Sequence, residues 1–582
     1  MEKIDHAALL DWATNGYLWF DYFSVPQIGV YNEADANADL MAAVESIPAY
    51  VELSEFFVVL TPPAEHQDTT AVIDFSTWMR RGWCRAEAMA RLLARNSGPM
   101  IKLQSAEGTP ELLPAFQAWM MQPGKGQFTC CSKNHLFPQK DKATGETKMM
   151  QVPCDKIKVA DLAHTLVDKY EGTKRAALAE AADEKEKARA AVLLLEMRRI
   201  MAMRHHMLEG LETEEEVAVV KAKEERPATE VLAEFLEKYH FPPATKQSAN
   251  GRPADRRSGL TPMFYAVLSG NVAAARELLR LGADVESPLS RGDPTRSLFK
   301  GMTLLHTAAF FSTGEMVTLL LDHGADAMAQ EKQNGFFASH IACVTGNHPA
   351  LCVLLDRKPR LMEVRDNFGF TPLLVAMQFD PSEGHACAME LLHRGAAADE
   401  RTVDGFACNA LALAAFSKVA DGTIALDALL KEGKIGVDTG TKWTDFNTLA
   451  KTLVRFGRLA DGFNRICCCG RRESSAMVKF FAAYPTSGYT PLMTAARTGN
   501  TPAVRSLLAA GANPFLQDSN GRTARDWAAM KMDGGPFPLA IADLTKAEEN
   551  WSGNRPAAKP KGKGSNAAVI PSGGSAKVSS EL

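Results

Sequence analysis

Apolar positions recur in a fixed order in the C-terminal half of the chain, and this order predicts pairs of short helices. A typical unit opens on a glycine, continues into a short apolar run, and ends in a leucine pair followed by another glycine. The clearest units are GLTPMFYAVLSGNVAAARELLRLGADV (259–285) and GYTPLMTAARTGNTPAVRSLLAAGANP (488–514). Between them, units open at Gly301, Gly335 and Gly369, which are 34 residues apart. Self-similarity at a fixed period of this length predicts a repeat architecture.

The residue types within a unit have physical reasons. Thr261 and Thr490 can cap the first helix, because a side-chain oxygen accepts a hydrogen bond from a free backbone N–H. Pro262 and Pro491 suit the first helical position, where the missing N–H is no loss. Gly282 can end the second helix in the left-handed conformation. Each unit is therefore predicted to be a tight turn followed by two short helices.

This unit resembles the ankyrin repeat, which has about 33 residues and a Thr-Pro-Leu-His-x-Ala phrase. The resemblance implies an all-α ankyrin solenoid over residues 255–535, with six to seven units in this sequence. The third unit opens GFFASHIA (335–342) and lacks the Thr-Pro-Leu phrase, and the fifth (405–416) is degenerate. A helical insertion follows at about 420–480. The last unit (520–532) carries charge, as a capping repeat should.

Ankyrin stacks present a concave surface of turns and helix ends, and the resemblance implies that other proteins bind there. His306 and His340 occupy the usual histidine position of the repeat, where the ring bonds neighbouring turns, so we predict structural roles for both. Side chains near the turns that would select a partner include His306, Asn334, Phe368 and Tyr489. No repeat position supplies a nucleophile, a metal cluster or a phosphate loop.

The segment 173–245 is rich in Ala, Glu, Lys and Arg, which predicts a charged helical connector. Its apolar positions do not keep a strict heptad, so a coiled coil stays an alternative. Thr213 and Glu216 have the spacing of a capping box. His205 and His206 are adjacent and point to different helix faces, so we expect surface positions rather than a metal site.

Residues 1–165 alternate strand and helix patterns, which predicts an α/β domain with a parallel sheet. The predicted strands are GYLWFDYF (16–23), EFFVVLTPP (55–63) and PMIKLQSA (99–106). The predicted helices are ADLMAAVESIPAYVELS (38–54), RGWCRAEAMARLLAR (81–95) and PELLPAFQAWM (110–120).

This order of elements resembles the Toll/interleukin-receptor (TIR) superfamily and its fungal heterokaryon-incompatibility relatives. Three phrases carry the resemblance: WFDYFSVPQ (19–27), AVESIPAYVELSEFFVVLTP (43–62) and WCRAE (83–87). The resemblance implies a flavodoxin-like parallel sheet and a role in signalling or assembly. In catalytic TIR domains the glutamate of the last phrase supports cleavage of the nicotinamide–ribose bond of NAD. The resemblance places Glu87 in that role, with Trp83 and Cys84 as its structural companions.

The alternative for this segment is structural: Trp83 and Cys84 pack a core while Glu87 caps the helix or pairs with Arg80, Arg81 or Arg85. Two departures from the TIR pattern favour it. The chain begins about fifteen residues before the WFD phrase, and no glycine-rich phosphate loop follows. A shared fold does not transfer a reaction. We therefore favour a non-enzymatic protein without a cofactor, with NAD entering only under the alternative.

The chain has 582 residues, a net charge of −4 and 11 cysteines, and this narrows the function classes. Its length predicts about two to four folded units. The near-neutral charge predicts no general affinity for nucleic acid or anionic membranes. The sequence has no signal-peptide pattern and no run of about eighteen apolar residues, so we expect no membrane span. Scattered cysteines indicate a reducing compartment, so we expect the cytoplasm, with the nucleus as the alternative.

The phrase FTCCSKNHLF and the downstream PCDK contain residue types that bind metals. Cys130 or Cys131, His135 and Cys154 are the candidate ligands. Structural zinc sites normally use pairs of ligands spaced by two to four residues, and this set has one such pair at best. We therefore favour free thiols and no metal. For the adjacent cysteines 467–469, which acylation could modify, free thiols are likewise favoured.

Residues 551–582 have almost no apolar content to bury and are predicted to be disordered. They end in Ser580-Glu581-Leu582, which fits a short PDZ-domain signal, although a solvated tail is the favoured interpretation. The whole pattern predicts a scaffold or adaptor that binds proteins through the ankyrin concave face, with the oligomeric state left open. The alternative is an NAD glycohydrolase that the ankyrin array recruits.

Overall fold

The structure is a computed structural model of the chain and describes residues 46–553 with internal gaps. The gaps are residues 48, 67–70, 95–97, 99, 106–109, 114–120, 141–146, 152–153, 181–186, 214–225, 244–259, 290–299, 383–384, 399–407, 418–422, 441–486 and 531–534. Several predictions fall outside the described residues: the strand 16–23, the WFDYFSVPQ phrase, Glu216 of the capping box, the cysteines 467–469, and nearly all of the tail.

A small mixed sheet lies in the N-terminal part of the chain. Its strands are β1 (Phe57–Leu60), β4 (Met100–Leu103) and β5 (Glu111–Leu113), in the order β1-β4-β5. β1 and β4 are parallel, as the strand predictions for 55–63 and 99–106 imply, whereas β5 is antiparallel to β4. Two separate hairpin ladders pair β2 (Ala64–Glu65) with β3 (Val72–Ile73), and β6 (Leu136–Lys140) with β7 (Thr147–Gln151).

The helix predicted for residues 110–120 is wrong at its start, because Glu111–Leu113 forms strand β5. The Lys102 Nζ atom lies 2.5 Å from the Glu111 Oε2 atom across the ladder, and Leu113 is buried with Met100. One edge of β4 pairs with β1, and the backbone N–H and C=O groups on its other edge also need hydrogen-bond partners. Pairing with β4 therefore outweighs the local helical pattern of residues 111–113.

The helix predicted for residues 81–95 is confirmed as α2 (Gly82–Leu93), which follows the short helix α1 (Phe75–Arg80). Arg91 of α2 is fully buried, and its guanidinium donates to four backbone carbonyls. These are Val51 O at 3.2 Å, Ser54 O at 2.7 Å, Glu55 O at 2.7 Å and Gly98 O at 3.2 Å. One side chain therefore fastens the segments before β1 and before β4 to α2.

The helical middle of the chain is packed into the core. Its helices are α3 (Thr129–Ser132), α4 (Asp155–Glu180), α5 (Lys187–Met207) and α6 (Ala228–Lys238). α4 packs against α2 and α5, while α5 and α6 pack on the first helix pair of the repeat zone. The sequence pattern predicts a charged connector over residues 173–245, but Met197, Ile200 and Met203 of α5 are fully buried. Its helices therefore continue the repeat stack towards the N-terminus.

A buried arginine ties α5 to the end of α6. Arg198 donates to Tyr239 O and His240 O, each at 2.6 Å, and its guanidinium lies 4.2 Å from the centre of the Phe241 ring. The ring of Tyr239 in turn lies 5.9 Å from that of Tyr265 in the first repeat. Arg198, which belongs to the predicted charged connector, is therefore part of the contact between the helical middle and the repeats.

Seven helix pairs form the repeat zone of the described structure. They are α7 (Pro262–Leu268) with α8 (Val272–Arg280), α9 (Leu304–Phe311) with α10 (Gly314–Asp322), α11 (Ala338–Thr345) with α12 (His348–Arg357), α13 (Pro372–Phe379) with α14 (Ala386–His393), α15 (Ala410–Phe416) with α16 (Ile424–Glu432), α17 (Pro491–Thr498) with α18 (Thr501–Ala509), and α19 (Ala524–Ala528) with α20 (Pro538–Glu549). Short 3-10 turns span Pro123–Lys125 and Pro359–Met362.

The predicted helix caps are present. Thr261 and Thr490 accept the N–H of the third residue of their helices, at 3.2 and 3.3 Å, and a proline follows each of them. Gly282 ends α8 with a φ of 93°, the left-handed conformation that the pattern predicts. In the third repeat, where Phe337 replaces the threonine, the His340 Nδ1 atom accepts the Phe337 N–H at 3.3 Å.

The predicted insertion at about 420–480 begins later than expected. Residues 424–432 form α16, the second helix of the fifth repeat, with Leu426 and Leu429 buried. Residues 441–486, which include most of the predicted insertion, lie outside the described part of the chain. α15 packs directly on α17, so the stack continues from the fifth repeat to the sixth.

One hydrophobic core extends along the described chain from Ile47, through α2, α4 and α5, to Leu544 in α20. A second, small core lies under the N-terminal sheet and includes Val59 and Phe75. Among the described helices, none combines the length and the hydropathy that crossing a bilayer requires.

Replacing Arg91 with methionine should destabilise the N-terminal unit by about 3 kcal/mol, because buried carbonyls lose a charged donor. Thermal unfolding and hydrogen exchange of residues 49–113 measure this change. The control is Arg276→Met, which removes an exposed pairing with Glu315 at 3.6 Å and should leave stability nearly unchanged. Equal stability of the two variants would contradict the bracing role of Arg91.

Candidate functional site

A row of side chains runs along the first helices of the first six repeats, one from each, and we call it the inner row. Each member lies seven positions after the residue that caps its helix. The members are Leu268, Phe310, Val344, Gln378, Phe416 and Arg497. Leu268, Phe310 and Arg497 are buried, Val344 and Gln378 are half-buried, and Phe416 is 36% exposed. The row is therefore most open at the fifth repeat.

The N-terminal helices cover the inner row at the second repeat. His206 of α5 is buried, and its ring centre lies 5.1 Å from that of Phe311 and 6.3 Å from that of Phe310. The Gln122 Nε2 atom lies 2.7 Å from the His206 Nε2 atom. The expectation of a surface position is thus wrong for His206, whereas His205 is exposed.

At the open end, aromatic rings and a guanidinium lie together. The Arg497 guanidinium carbon lies 5.9 Å from the ring centres of both Phe416 and Tyr489. Tyr489 itself is buried, so the expectation that it selects a partner is wrong. Phe368, at the tip of a turn, is 47% exposed and remains available. Asn334 is half-buried, and its carbonyl accepts the N–H of Asn367 at 3.0 Å.

The predicted structural role of the repeat histidines is confirmed. Both rings are fully buried, so the expectation that His306 selects a partner is also wrong. His306 Nε2 lies 2.9 Å from Phe336 O, and His340 Nε2 lies 2.8 Å from Phe370 O, so each ring bonds the next turn. Burial lowers the pKa of His340 to about 4; the bond to Phe370 opposes this shift, and His306 adds to it. Burial also lowers the pKa of His306. Both rings are therefore neutral at physiological pH.

Sequence reasoning missed a set of buried carboxylates inside the turns. Glu331 accepts the N–H of Gln333 at 2.6 Å, and Asp366 accepts the N–H groups of Phe368 and Phe370 at 2.8 Å. Asp518 does the same for Asn520 and Arg522, and also accepts the indole N–H of Trp527 at 3.0 Å. In these three turns the acidic residue stands three or four positions before the turn glycine (Gly335, Gly369 or Gly521), and this spacing is the signal that would have revealed them.

Glu87 is half-buried on α2, between the buried residues Ala86 and Ala88. Cys84 is buried and Trp83 packs against the main core, as the structural alternative predicts. The Arg85 guanidinium donates to Met79 O at 2.5 Å and to Gln122 O at 3.2 Å. The WCRAE phrase thus joins α2 to α1 and to the segment before α3.

The four candidate metal ligands of the sequence come together in the structure, beside the N-terminus of α4. The Cys131 sulfur lies 4.0 Å from that of Cys130, 3.6 Å from that of Cys154 and 3.7 Å from His135 Nε2. All four ligand atoms lie within 4.8 Å of one another. The backbone N–H of Asp155 donates to the Cys130 sulfur at 3.3 Å. We call this set of four side chains the thiol–imidazole cluster.

Two thiols of the cluster have shifted pKa values. Burial raises the pKa of Cys154, but hydrogen bonds from His135, Cys131 and the amides of Lys156 and Ile157 outweigh it and bring the value to about 7. Burial and the neighbouring thiols raise the pKa of Cys131 to about 12. The side chains of His135 and Cys131, together with the amides at the N-terminus of α4, therefore favour the thiolate of Cys154.

A second group of metal-binding residue types lies on the outer helices, between α12 and α14. The Cys352 sulfur lies 3.4 Å from His348 Nε2, which is 3.6 Å from Glu390 Oε2. The Arg394 guanidinium donates to the Glu390 Oε1 atom at 2.7 Å. Because that guanidinium already pairs with the carboxylate, this group is an ion-pair network.

Comparison with known protein families identifies the repeats. A family model described as "Ankyrin repeats (3 copies)" matches residues 218–331, 287–361 and 305–403, and one described as "Ankyrin repeats (many copies)" matches residues 483–528. The first match includes α6, in agreement with its place in the stack. The matched segments carry ankyrin repeats.

Several curated proteins share this region. Rabankyrin-5 from Mus musculus is 32% identical over 145 residues, which are 24% of this chain and 12% of that protein. The B-cell lymphoma 3 protein homolog from Mus musculus is 33% identical over 150 residues, 24% of this chain and 30% of that protein. Ankyrin repeat protein nuc-2 from Neurospora crassa is 26% identical over 307 residues, 51% of this chain and 25% of that protein. The chain thus spans less than a third of these relatives.

Solved ankyrin repeat domains are also similar. The domain of human ASB11 is 20% identical with a TM-score of 0.33, and the match covers 51% of this chain and 100% of that one. The domain of Bcl-3 is 22% identical with a TM-score of 0.31, and the match covers 49% of this chain and 98% of that one.

Lowering the pH should reduce the free energy of unfolding of the repeat stack, because His306 and His340 are buried as neutral rings. A lowered pKa in the folded state means that the unfolded chain binds more protons, so stability falls as the pH drops from about 6.5 towards about 4. Thermal unfolding midpoints at about pH 7.5 and about pH 5 measure this loss, and His340→Gln should lose less than wild type between them. His323→Gln, on an exposed histidine, is the control. An equal loss in wild type and His340→Gln would contradict the role of His340.

Proposed function

We propose that this chain, whose C-terminal half carries ankyrin repeats, is a scaffold that binds a protein partner along the open part of the inner row. The observation that carries the proposal is the exposure of Phe416 beside Arg497, on a row whose other members are buried or half-buried. Phenylalanine and arginine are enriched in the centres of protein interfaces, where they contribute much of the binding energy.

Phe368 extends the proposed surface to the turn tips. The turn that presents it is held by Asp366 and is bonded to the preceding turn through Asn367 and Asn334. A side chain on such a braced turn loses little conformational freedom when a partner binds, which favours affinity. The concave face is thus the proposed binding face, with its contacts concentrated at repeats three to six.

The N-terminal unit has a proposed role in assembly. The WCRAE phrase and the parallel pairing of β1 with β4 are the features that support a TIR-like signalling or assembly domain. Because α2 and α4 share one core with the repeats, this unit would be held in a fixed orientation to the bound partner. A cytoplasmic location is part of this proposal, with the nucleus as the alternative, because scattered cysteines suit a reducing compartment.

The alternative, an NAD glycohydrolase recruited by the array, rests on the resemblance of Glu87 to the glutamate of catalytic TIR domains. Nicotinamide release assays on the purified chain and on Glu87→Ala distinguish the two functions. Release by wild type that Glu87→Ala abolishes would support the enzyme, and release by neither would support the scaffold.

Substituting Phe416 with glutamate should weaken partner binding about tenfold or more, because a charge would replace an apolar anchor at the centre of the interface. Quantitative affinity capture with the full chain, followed by titration of each captured protein, measures the change. Met389→Glu is the matched control, since Met389 is 37% exposed on the outer helix α14. Partners that bind both variants as tightly as wild type would exclude the inner row as the binding site.

A further inference from the structure

The thiol–imidazole cluster lies outside the repeats and outside the proposed binding face. Its members come from two places in the chain. Cys130, Cys131 and His135 lie on and just after α3, and Cys154 immediately precedes α4. The hairpin of β6 and β7 occupies the chain between His135 and Cys154, and it brings the two ends together.

We propose that Cys130, Cys131, His135 and Cys154 bind one zinc ion as a closed structural site. A tetrahedral site with metal–sulfur bonds of about 2.3 Å and a metal–nitrogen bond of about 2.0 Å has sulfurs about 3.8 Å apart and a sulfur–nitrogen separation of about 3.6 Å. The observed separations are 3.6 and 4.0 Å between sulfurs, and 3.7 Å between the Cys131 sulfur and His135 Nε2. Three of the six separations thus match a tetrahedron around one ion, and the other three lie within 4.8 Å, close enough for the same ion to draw the four atoms together.

The ligand types select the metal. Three thiolates and one imidazole form a soft set of donors, which suits zinc and does not suit magnesium or calcium. Four protein ligands complete tetrahedral coordination and leave no position for substrate, so the site is structural rather than catalytic. When zinc binds, each thiol that still carries a proton releases it to solvent and binds as the thiolate. The imidazole binds as the neutral ring.

Hydrogen bonds around the cluster match those of a thiolate–metal site. The Asp155 N–H donates to the Cys130 sulfur at 3.3 Å, at the first turn of a helix of 26 residues. Outer donors of this kind orient metal ligands and offset the negative charge that three thiolates leave on a divalent ion. The positive end of the dipole of α4 acts in the same direction.

The backbone at His135 supports a binding role. His135 and Asn134 have φ values of 59° and 51°, in the left-handed region that residues other than glycine rarely adopt. This conformation carries the imidazole back over Cys131 rather than onward with the strand. Unfavourable backbone conformations persist at sites where the surroundings need them, and ligand sites are a frequent case.

The proposed zinc ion would stabilise the exposed hairpin of β6 and β7. The hairpin residues whose exposure the structure describes, Leu136, Thr147, Lys148, Met149 and Gln151, are all exposed. An isolated two-stranded hairpin is only marginally stable in water. A zinc ion bound at its base would join both of its ends to α3 and α4, and would hold Met149 and Leu136 in place on the surface.

Metal content and cobalt spectroscopy of the full chain test the proposal. The protein is purified with a phosphine reductant, loaded with zinc, dialysed and measured by elemental analysis. Wild type should hold about one zinc ion per chain, and Cys154→Ser and His135→Ala should lose most of it. Cobalt(II) added to metal-free protein should produce the visible absorption of a tetrahedral thiolate site in wild type, and this absorption should be lost in Cys154→Ser and His135→Ala.

Cys352→Ser is the matched control, because it removes a half-buried thiol from the outer helices and should retain both zinc and the cobalt spectrum. Unchanged thermal unfolding of the repeats shows that Cys154→Ser remains folded. A background zinc content in folded wild type, or the loss of metal in Cys352→Ser but not in Cys154→Ser, would overturn the proposal. So would a Cys131–Cys154 disulfide that persists in the reductant in wild type that carries no zinc, located by mass spectrometry of the linked peptides.

Discussion

Burial of each helix pair against its neighbours is the interaction on which the rest of this structure depends. A single pair such as α11 and α12 has too little apolar surface to fold alone, and its buried leucines become core only when the next pair covers them. The stack starts before the recognisable repeats, because α5 and α6 bury the open side of α7 and α8. In the part of the chain that the structure describes, its last pair is α19 and α20, where the Trp527 indole N–H donates to Asp518.

Short polar links set the spacing of the stack. The rings of His306 and His340 cross from one repeat to the next, and carboxylates such as Asp366 fix the turns that present Phe368. These links are neutral or fully bonded, as groups in a dry interface must be. The same stacking that stabilises the fold therefore holds the open inner row at Phe416 in a fixed shape, as the proposed binding face requires.

The sequence predicts features that have local causes. Thr261 and Thr490 cap their helices because the cap bond spans three residues, and Gly282 ends α8 through its own backbone. The features that the sequence does not predict depend on contacts between residues that are distant along the chain. β5 forms because β4 needs a neighbour, and His206 is buried because Gln122 and Phe311 approach it. The sequence names the four side chains of the thiol–imidazole cluster, but they meet only because the β6–β7 hairpin returns the chain to α3, which residue spacing alone does not show.

Hydrogen exchange of the full chain, followed by mass spectrometry, tests the uninterrupted stack most directly. If α15 packs on α17 as the structure describes, amides in residues 410–416 should be protected to the same degree as those in residues 338–345 and 372–379. Rapid exchange of residues 410–416, with the repeats before them still protected, would show that the stack breaks at the fifth repeat and would contradict the account.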